Sequence, residues 1–173
     1  MIIHQATQAD FKAVVAFYED VIARTPGIAQ YAQWHKDKHP TTEGLRSFIE
    51  SKNLYVYKED ESIVGAFVLT MYQTKEYRGV DWRLQVADDE AAVIQTLATS
   101  PDRQGAGIGA KMVHEAARLA RDHGMKVLRL DATATNTPVH KLYERLGFEW
   151  RGQQHLYAEN NGWLDFYFFE LVL

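Results

Sequence analysis

The sequence predicts an α/β domain, with a mixed sheet of six to seven strands flanked by about four helices. Short apolar runs typical of strands alternate with segments whose apolar residues recur at helical spacing. Between residues 91 and 132 the order is strand, glycine-rich loop, helix and strand, and a right-handed crossover makes two such strands parallel. Polar turns join pairs of strands near both ends of the chain, which indicates antiparallel hairpins. We predict one domain spanning residues 1–173.

The elements of the first ninety residues follow from apolar periodicity and from turn residues. Thr7 caps the first helix, with Asp10 three residues later as a weaker form of the capping box, and Thr25-Pro26-Gly27 ends it. The predicted order is a strand at Ile2-Ile3, a helix with Phe11, Val14, Tyr18 and Val21 on one face, an irregular ring-rich segment at 28–40, a helix from Thr41-Thr42, strands at 54–57 and 63–72, and a short strand in which Trp82, Leu84 and Val86 alternate.

The second half predicts a β-loop-α-β-α unit followed by an antiparallel pair. An apolar strand runs from Ala91 into the glycine-rich loop, and the next helix stops at Gly124. Thr137-Pro138 begins another helix, because proline is allowed in a first turn, and Gly147 ends it. The remaining predicted strands are 126–132, 149–157 and 163–173.

Composition excludes several classes of function. The net charge is −4 and no Lys/Arg cluster occurs, which argues against a nucleic-acid partner. The absence of cysteine excludes disulfides, a thiol nucleophile and a zinc-thiolate site, and the histidines show no ligand-type pairing, so we expect no metal. No apolar run approaches the roughly 18 residues of a membrane span, and residues 1–5 do not resemble a signal peptide. We therefore expect no membrane partner and a cytoplasmic location.

The glycine-rich loop after the strand is typical of a diphosphate site, because free backbone amides and a helix N-terminus attract anions. A Walker loop does not fit, since Lys111 follows Ala110 and Met112 replaces the hydroxyl residue. The dinucleotide fingerprint fits better, as Gly105, Gly107 and Ala110 with Asp131 about twenty residues on. That alternative is disfavoured by the six residues between strand and first glycine, and by the 42 residues left after Asp131.

A third pattern, Gln/Arg-x-x-Gly-x-Gly/Ala, is met by Gln104, Gly107 and Gly109. Asn136 follows the next strand, Tyr143 comes seven residues later, and Gly147-Phe148 closes the helix. Together these motifs, over residues 91–149, resemble the coenzyme A site of the GNAT superfamily of acetyl-CoA-dependent N-acetyltransferases.

The resemblance implies a set of site residues. The two parallel strands would splay apart, so that the main chain of Leu97, Ala98 and Thr99 pairs with the pantetheine arm and the N–H of Leu97 or Ala98 polarises the acetyl carbonyl. Asn136 would bond to the cofactor arm, and Tyr143 would be the general acid for the thiolate. From the residues alone, Asn136 also fits a helix cap and Tyr143 a core position. The implied pyrophosphate-binding set is Gln104, Gly105, Ala106, Gly107, Ile108 and Gly109.

The expected function is acetyl transfer from acetyl-CoA to a primary amine by direct attack in a ternary complex. A small cationic amine is favoured, bound by the faces of Tyr31 and Trp34 and by Glu90 of an acidic segment at 76–90. A solvated acidic turn is the alternative for that segment. A peptide or protein N-terminus is an alternative acceptor, a non-catalytic acyl-CoA-binding module an alternative function, and a homodimer is compatible with the sequence. No single residue stands out as the general base.

Overall fold

A computed structural model describes residues 2–173 as one seven-stranded sheet flanked by helices. The strand order is β1-β2-β3-β4-β5-β7-β6. The helices are α1 (Phe11–Arg24), α2 (Ile28–Tyr31), α3 (Thr42–Glu50), α4 (Ile108–Asp122) and α5 (Thr137–Arg145). The strands are β1 (Ile2–Gln5), β2 (Leu54–Glu59), β3 (Ser62–Thr70), β4 (Ala91–Thr99), β5 (Val127–Thr133), β6 (Glu149–Ala158) and β7 (Gly162–Val172).

The pairing of the strands confirms the predicted mixed sheet. Neighbouring strands are antiparallel except β4 and β5, which are parallel because α4 makes the crossover between them. Four helices of nine or more residues flank the sheet, α1, α3, α4 and α5.

Two local predictions were wrong. Residues 82–86 form no strand. Trp82 is buried, stacks on Tyr77, and donates its indole N–H to the Tyr77 carbonyl, whereas Leu84 is exposed, so the apolar alternation there does not mark one buried face. The segment 28–40 is not wholly irregular, because Gly27, at φ +75°, lets the chain turn directly into the single turn of α2.

Apolar side chains fill both faces of the sheet. On one face α4 and α5 pack through residues such as Met112 and Tyr143, and on the other α1 and α3 pack through residues such as Tyr18 and Leu45. The helix α4 approaches β3 very closely, since a Cβ added at Gly65 would lie 2.7 Å from the Met112 sulfur. The close packing fixes where α4, and the loop before it, sit relative to the strands.

The parallel strands separate halfway along their length. Their pairing covers Ala91–Ile94 against Val127–Leu130 and ends there, although β4 continues to Thr99 and β5 to Thr133. At the same level the register between β3 and β4 shifts, because Val68 faces Gln95 whereas Ala66 faces Ala98. The extra residue of this bulge bends β4 away from β5. A slot therefore opens between the two strands, as the resemblance implied.

Candidate active site

Two neighbouring cavities lie along this slot and share part of their lining. The larger, of about 670 Å³, lies against the end of β4, the glycine-rich loop and α5. The smaller, of about 330 Å³, lies against the bulge of β4, the end of β5 and the β6–β7 hairpin. Both are lined by Ala32, Trp34, Leu97, Asn136 and Val139. A ligand in one cavity can thus touch a ligand in the other beside Leu97.

The glycine-rich loop forms an open cradle at the larger cavity. Gly105 and Gly107 have φ of +80° and +77°, and a Cβ added to either would meet nothing within 4 Å. Gly107 is the N-cap of α4, so the free amides at the start of a 15-residue helix face the same region. These residues fit the diphosphate of coenzyme A. Ala98, Thr99, Gln104, Ile108 and Gly109 also line the cavity, whereas Ala106 does not.

The loop is held by the C-terminal end of α1. Arg24 binds both carboxylate oxygens of Asp102, at 2.9 and 2.7 Å. The Gln104 amide donates to the hydroxyl of Thr25 over 3.2 Å. The Gln104 side chain therefore links the cradle to the residue that follows α1.

The lining of the larger cavity is positively charged. Arg103 and Arg145 line it, and within residues 2–173 no Asp or Glu does. Arg103 also pairs with Glu59 at 2.6 Å, on the outer side of the loop. Sequence reasoning missed both arginines, although Arg103 directly precedes the motif and Arg145 lies two residues after Tyr143.

The smaller cavity has the opposite charge. Its lining includes the carboxylates of Asp131 and Glu159 and the rings of Trp34 and Phe166, and no lysine or arginine from the described part of the chain. Asp131 directly follows Leu130, the last residue of β5 that pairs with β4. Glu159 comes from the tip of the β6–β7 hairpin. No sequence motif points to Glu159, because only the folded hairpin brings it to the slot.

A tyrosine holds the Asp131 carboxylate in place. The buried Tyr77 donates its hydroxyl to Asp131 Oδ1. Burial raises the pKa of the Asp131 carboxyl above its ordinary value, against the opposing effect of that hydrogen bond. A carboxylate with a raised pKa that lines a cavity is suited to accept a proton.

Tyr143 lines the same cavity and is itself buried. Its ring packs 5.5 Å from Phe148 and 6.0 Å from Phe169, measured between ring centroids. Burial, and then the nearby Asp131 charge, raise the pKa of the Tyr143 hydroxyl, so it keeps its proton at neutral pH. Tyr143 is therefore a core residue that also lines the cavity and carries a protonated hydroxyl.

Three further predicted residues, Asn136, Trp34 and Tyr31, line one or both of the cavities. Asn136 occupies the N-cap position of α5, but its side chain makes no capping bond, and it lines both cavities. Trp34 also lines both, while Tyr31 lines only the larger. The Tyr31 carbonyl accepts hydrogen bonds from Thr133 and Thr135, at 2.6 and 2.8 Å, which fastens the ring-rich segment to the end of β5.

Glu90 does not belong to this site. It lies at the other end of β4, pairs with Lys126 at 2.5 Å and lines neither cavity. Asp88, in the same acidic segment, pairs with Arg78. The expectation that this segment faces the acceptor is corrected, and the carboxylates of the smaller cavity are Asp131 and Glu159.

The fold also bears on metal binding and on membrane insertion. Within residues 2–173 no three His, Asp or Glu side chains lie close enough together to hold a metal ion. No helix in the same range is long and apolar enough to cross a membrane.

Comparison with known proteins gives the family. Residues 14–148 match the model of the acetyltransferase (GNAT) family. YesJ of Bacillus subtilis, described as an uncharacterised N-acetyltransferase, is 27% identical over 161 residues, covering 87% of this chain and 88% of YesJ.

Solved structures share the fold. A GNAT-family acetyltransferase from Streptococcus agalactiae superposes with a TM-score of 0.81 at 16% identity, over 99% of this chain and 95% of that one. The yncA protein of Salmonella typhimurium, solved with its cofactor acetyl-CoA, superposes with a TM-score of 0.71 at 22% identity, over 100% and 94%. The splayed slot, the open cradle and the family match together lead to one conclusion: this chain belongs to the GNAT acetyltransferase family and is an N-acetyltransferase that uses acetyl-CoA.

Proposed function

We propose that this enzyme acetylates a small cationic primary amine that binds in the smaller cavity. The observation that carries the proposal is the separation of charge between two joined cavities. The larger is lined by two arginines and suits the anionic donor, and the smaller is lined by two carboxylates and suits a cation. The ring of Trp34 lies at their junction and can attract an ammonium group.

The donor is proposed to bind along β4 and the cradle. The amides of Gly105, Gly107 and the first turn of α4 hold the diphosphate, with Arg103 and Arg145 adding positive charge. The arm of the cofactor then runs past Ala98 and Thr99 toward Leu97, with Asn136 within reach as a hydrogen-bond partner. The thioester comes to lie where the cavities meet.

The ammonium nitrogen must lose two protons to become an amide nitrogen, and the departing thiolate needs one. Asp131 takes a proton from the ammonium group, whose nitrogen lone pair then attacks the thioester carbon. The N–H of Leu97 stabilises the negative charge that develops on the carbonyl oxygen. As the C–N bond forms and the C–S bond breaks, Tyr143 gives its proton to the departing thiolate. A second nitrogen proton leaves to solvent and the third stays on the amide nitrogen. Asp131 then releases its proton to solvent, and solvent returns the phenol proton to Tyr143.

A small amine is favoured over a peptide N-terminus because the hairpin tip is bonded to the ring-rich segment beside the smaller cavity. At the hairpin tip, Asn160 donates to the Lys38 carbonyl and Asn161 to the Gln33 carbonyl, each over 3.2 Å. These bonds join the hairpin to the ring-rich segment beside the cavity. A volume of about 330 Å³ is at the small end of ligand pockets, which leaves little room for an extended chain.

The test is an acceptor panel read by release of free thiol from acetyl-CoA. It should include diamines, monoamines, aminoglycosides, neutral and acidic amino acids, and short peptides. We expect a diamine or another cationic amine to give the highest kcat/KM. An acidic amino acid or a peptide as the best acceptor would refute the proposal.

Two matched substitutions locate the acceptor. Glu159→Gln should raise the KM of the cationic acceptor about tenfold or more, because one of two attracting charges is lost, and leave the KM of acetyl-CoA unchanged. Glu90→Gln makes the same chemical change outside both cavities and should alter neither constant. Equal effects of the two changes would mean that net charge alone, rather than the cavity, is responsible.

A further inference from the structure

A buried tyrosine from α1 holds one peptide group of the β4 bulge. The Tyr18 hydroxyl donates to the carbonyl oxygen of Thr96 over 2.7 Å. Tyr18 is 1% exposed and lines neither cavity, whereas Thr96 and Leu97 both line the smaller one. The hydrogen bond thus reaches the cavity wall from behind, across 78 positions of sequence.

Because the peptide bond is planar, this contact also determines the direction of the Leu97 N–H. In a trans peptide the carbonyl of one residue and the N–H of the next are fixed in opposite directions. The carbonyl of Thr96 points toward Tyr18 in the core between α1 and the sheet. The N–H of Leu97, in the same peptide group, therefore points away from that core.

The backbone conformation that the bulge requires at Thr96 is unfavourable in itself. Thr96 has φ of +46°, a left-handed conformation that is unfavourable for a β-branched residue. Within residues 2–173 its hydroxyl is the buried side-chain polar atom without a hydrogen-bond partner. An external partner for the main chain is therefore needed to keep the peptide from rotating.

Tyr18 is well placed to be that partner. Its ring lies 5.3 Å from Phe17 and 5.9 Å from Trp34, between centroids, so its position is fixed by packing on both sides. Burial raises the pKa of its hydroxyl, which therefore remains a donor.

We propose that Tyr18 is a positioning residue for acetyl transfer: it holds the Thr96 carbonyl so that the Leu97 N–H faces the reacting carbonyl oxygen. The inference rests on the proposed role of Leu97 and extends it to a residue that touches neither substrate. It predicts an effect on the chemical step rather than on binding, since the cradle that holds the diphosphate is unchanged.

The experiment compares Tyr18→Phe with Thr70→Val. Tyr18→Phe keeps the ring and removes the hydroxyl, and should lower kcat about tenfold or more, with the KM of acetyl-CoA within about threefold of wild type. Thr70→Val also removes a buried hydroxyl that bonds to a carbonyl, that of Tyr72 at 2.8 Å, on the neighbouring strand and outside both cavities. It should lower Tm but leave kcat within twofold. A folded Tyr18→Phe variant with kcat within twofold of wild type would overturn the proposal.

A measurement on the wild type separates this inference from the role of Leu97. In NMR spectra the Leu97 amide proton should shift more on adding acetyl-CoA than on adding CoA, and the hydroxyl proton of Tyr18 should shift with it, because the two hydrogen bonds polarise the same peptide. No difference at Leu97 would refute its donor role in the proposed function. A shift at Leu97 with none at Tyr18 would refute the positioning role alone.

Discussion

Replacing Gly107 by glutamate tests the cradle most directly, because the structure separates backbone, steric and charge effects at this position. The backbone has φ of +77°, which costs any other residue about 1–2 kcal/mol of stability. A Cβ there meets nothing within 4 Å, so no steric clash adds to that cost. The variant should therefore fold with a modestly lower Tm.

The charge effect should be much larger. A carboxylate about 5 Å from one phosphate charge repels it by about 3 kcal/mol at an effective dielectric constant of about 20. That corresponds to a loss of affinity of about 10²-fold. The new side chain would also occupy the free amides at the start of α4, which removes partners from the diphosphate.

The assay is calorimetric titration with acetyl-CoA, with Gly107→Ala as the matched control. Alanine carries the same backbone cost and no charge, so its Kd should stay within a few-fold of wild type while its Tm falls as in Gly107→Glu. If the two folded variants bind acetyl-CoA equally well, the diphosphate does not lie over Gly107 and the proposed cradle is refuted.

Three further predictions concern the chemistry and its support. Tyr143→Phe should lower kcat about 10²-fold or more with little change in the KM of acetyl-CoA, and a stopped-flow measurement of the chemical step checks it. Asp131→Asn should remove the acidic limb of the profile of kcat/KM against pH. In the wild type the Asp131 carboxylate acts as a base above its raised pKa and is lost as the pH falls through that pKa. An acidic limb that persists in the variant would contradict the assignment of Asp131 as the base. Arg129→Met should lower the free energy of unfolding by about 3–5 kcal/mol. Arg129 binds Glu170 at 2.7 Å with both side chains 1% exposed, so the substitution leaves the Glu170 carboxylate buried without that partner. Thermal unfolding measures the loss, with the exposed Arg121→Met as the control.

One half of the candidate site consists of residues that the resemblance implied. The glycine spacing, Asn136 and Tyr143 all depend on short-range geometry, a loop entering a helix and one face of the next helix. The fold brings them to one slot because β4 and β5 separate between α4 and α5. Sequence spacing can predict such an arrangement since each position is set by the element that carries it.

The acceptor side could not be predicted in the same way. Glu90 is close to Leu97 in sequence, but a strand rises about 3.3 Å per residue, so seven residues place it roughly 23 Å away. Glu159 is distant in sequence and reaches the cavity only because the hairpin tip bonds to the ring-rich segment. Asp131 had a plausible place in the rival dinucleotide pattern, and only the burial of its carboxyl and its bond from Tyr77 point to a proton acceptor.

The charge of the two cavities also bears on how the products leave. In the proposed reaction, a cationic amine is attracted by Asp131 and Glu159, and the donor is attracted by Arg103 and Arg145. Acetylation converts the ammonium group into a neutral amide, so that nitrogen no longer interacts with the carboxylates as a cation. The proton it gave up leaves Asp131 neutral until solvent removes it, which weakens the attraction further. In the proposed reaction the same carboxylates therefore attract the product less strongly than the substrate, by one cationic group, and this favours release of the product.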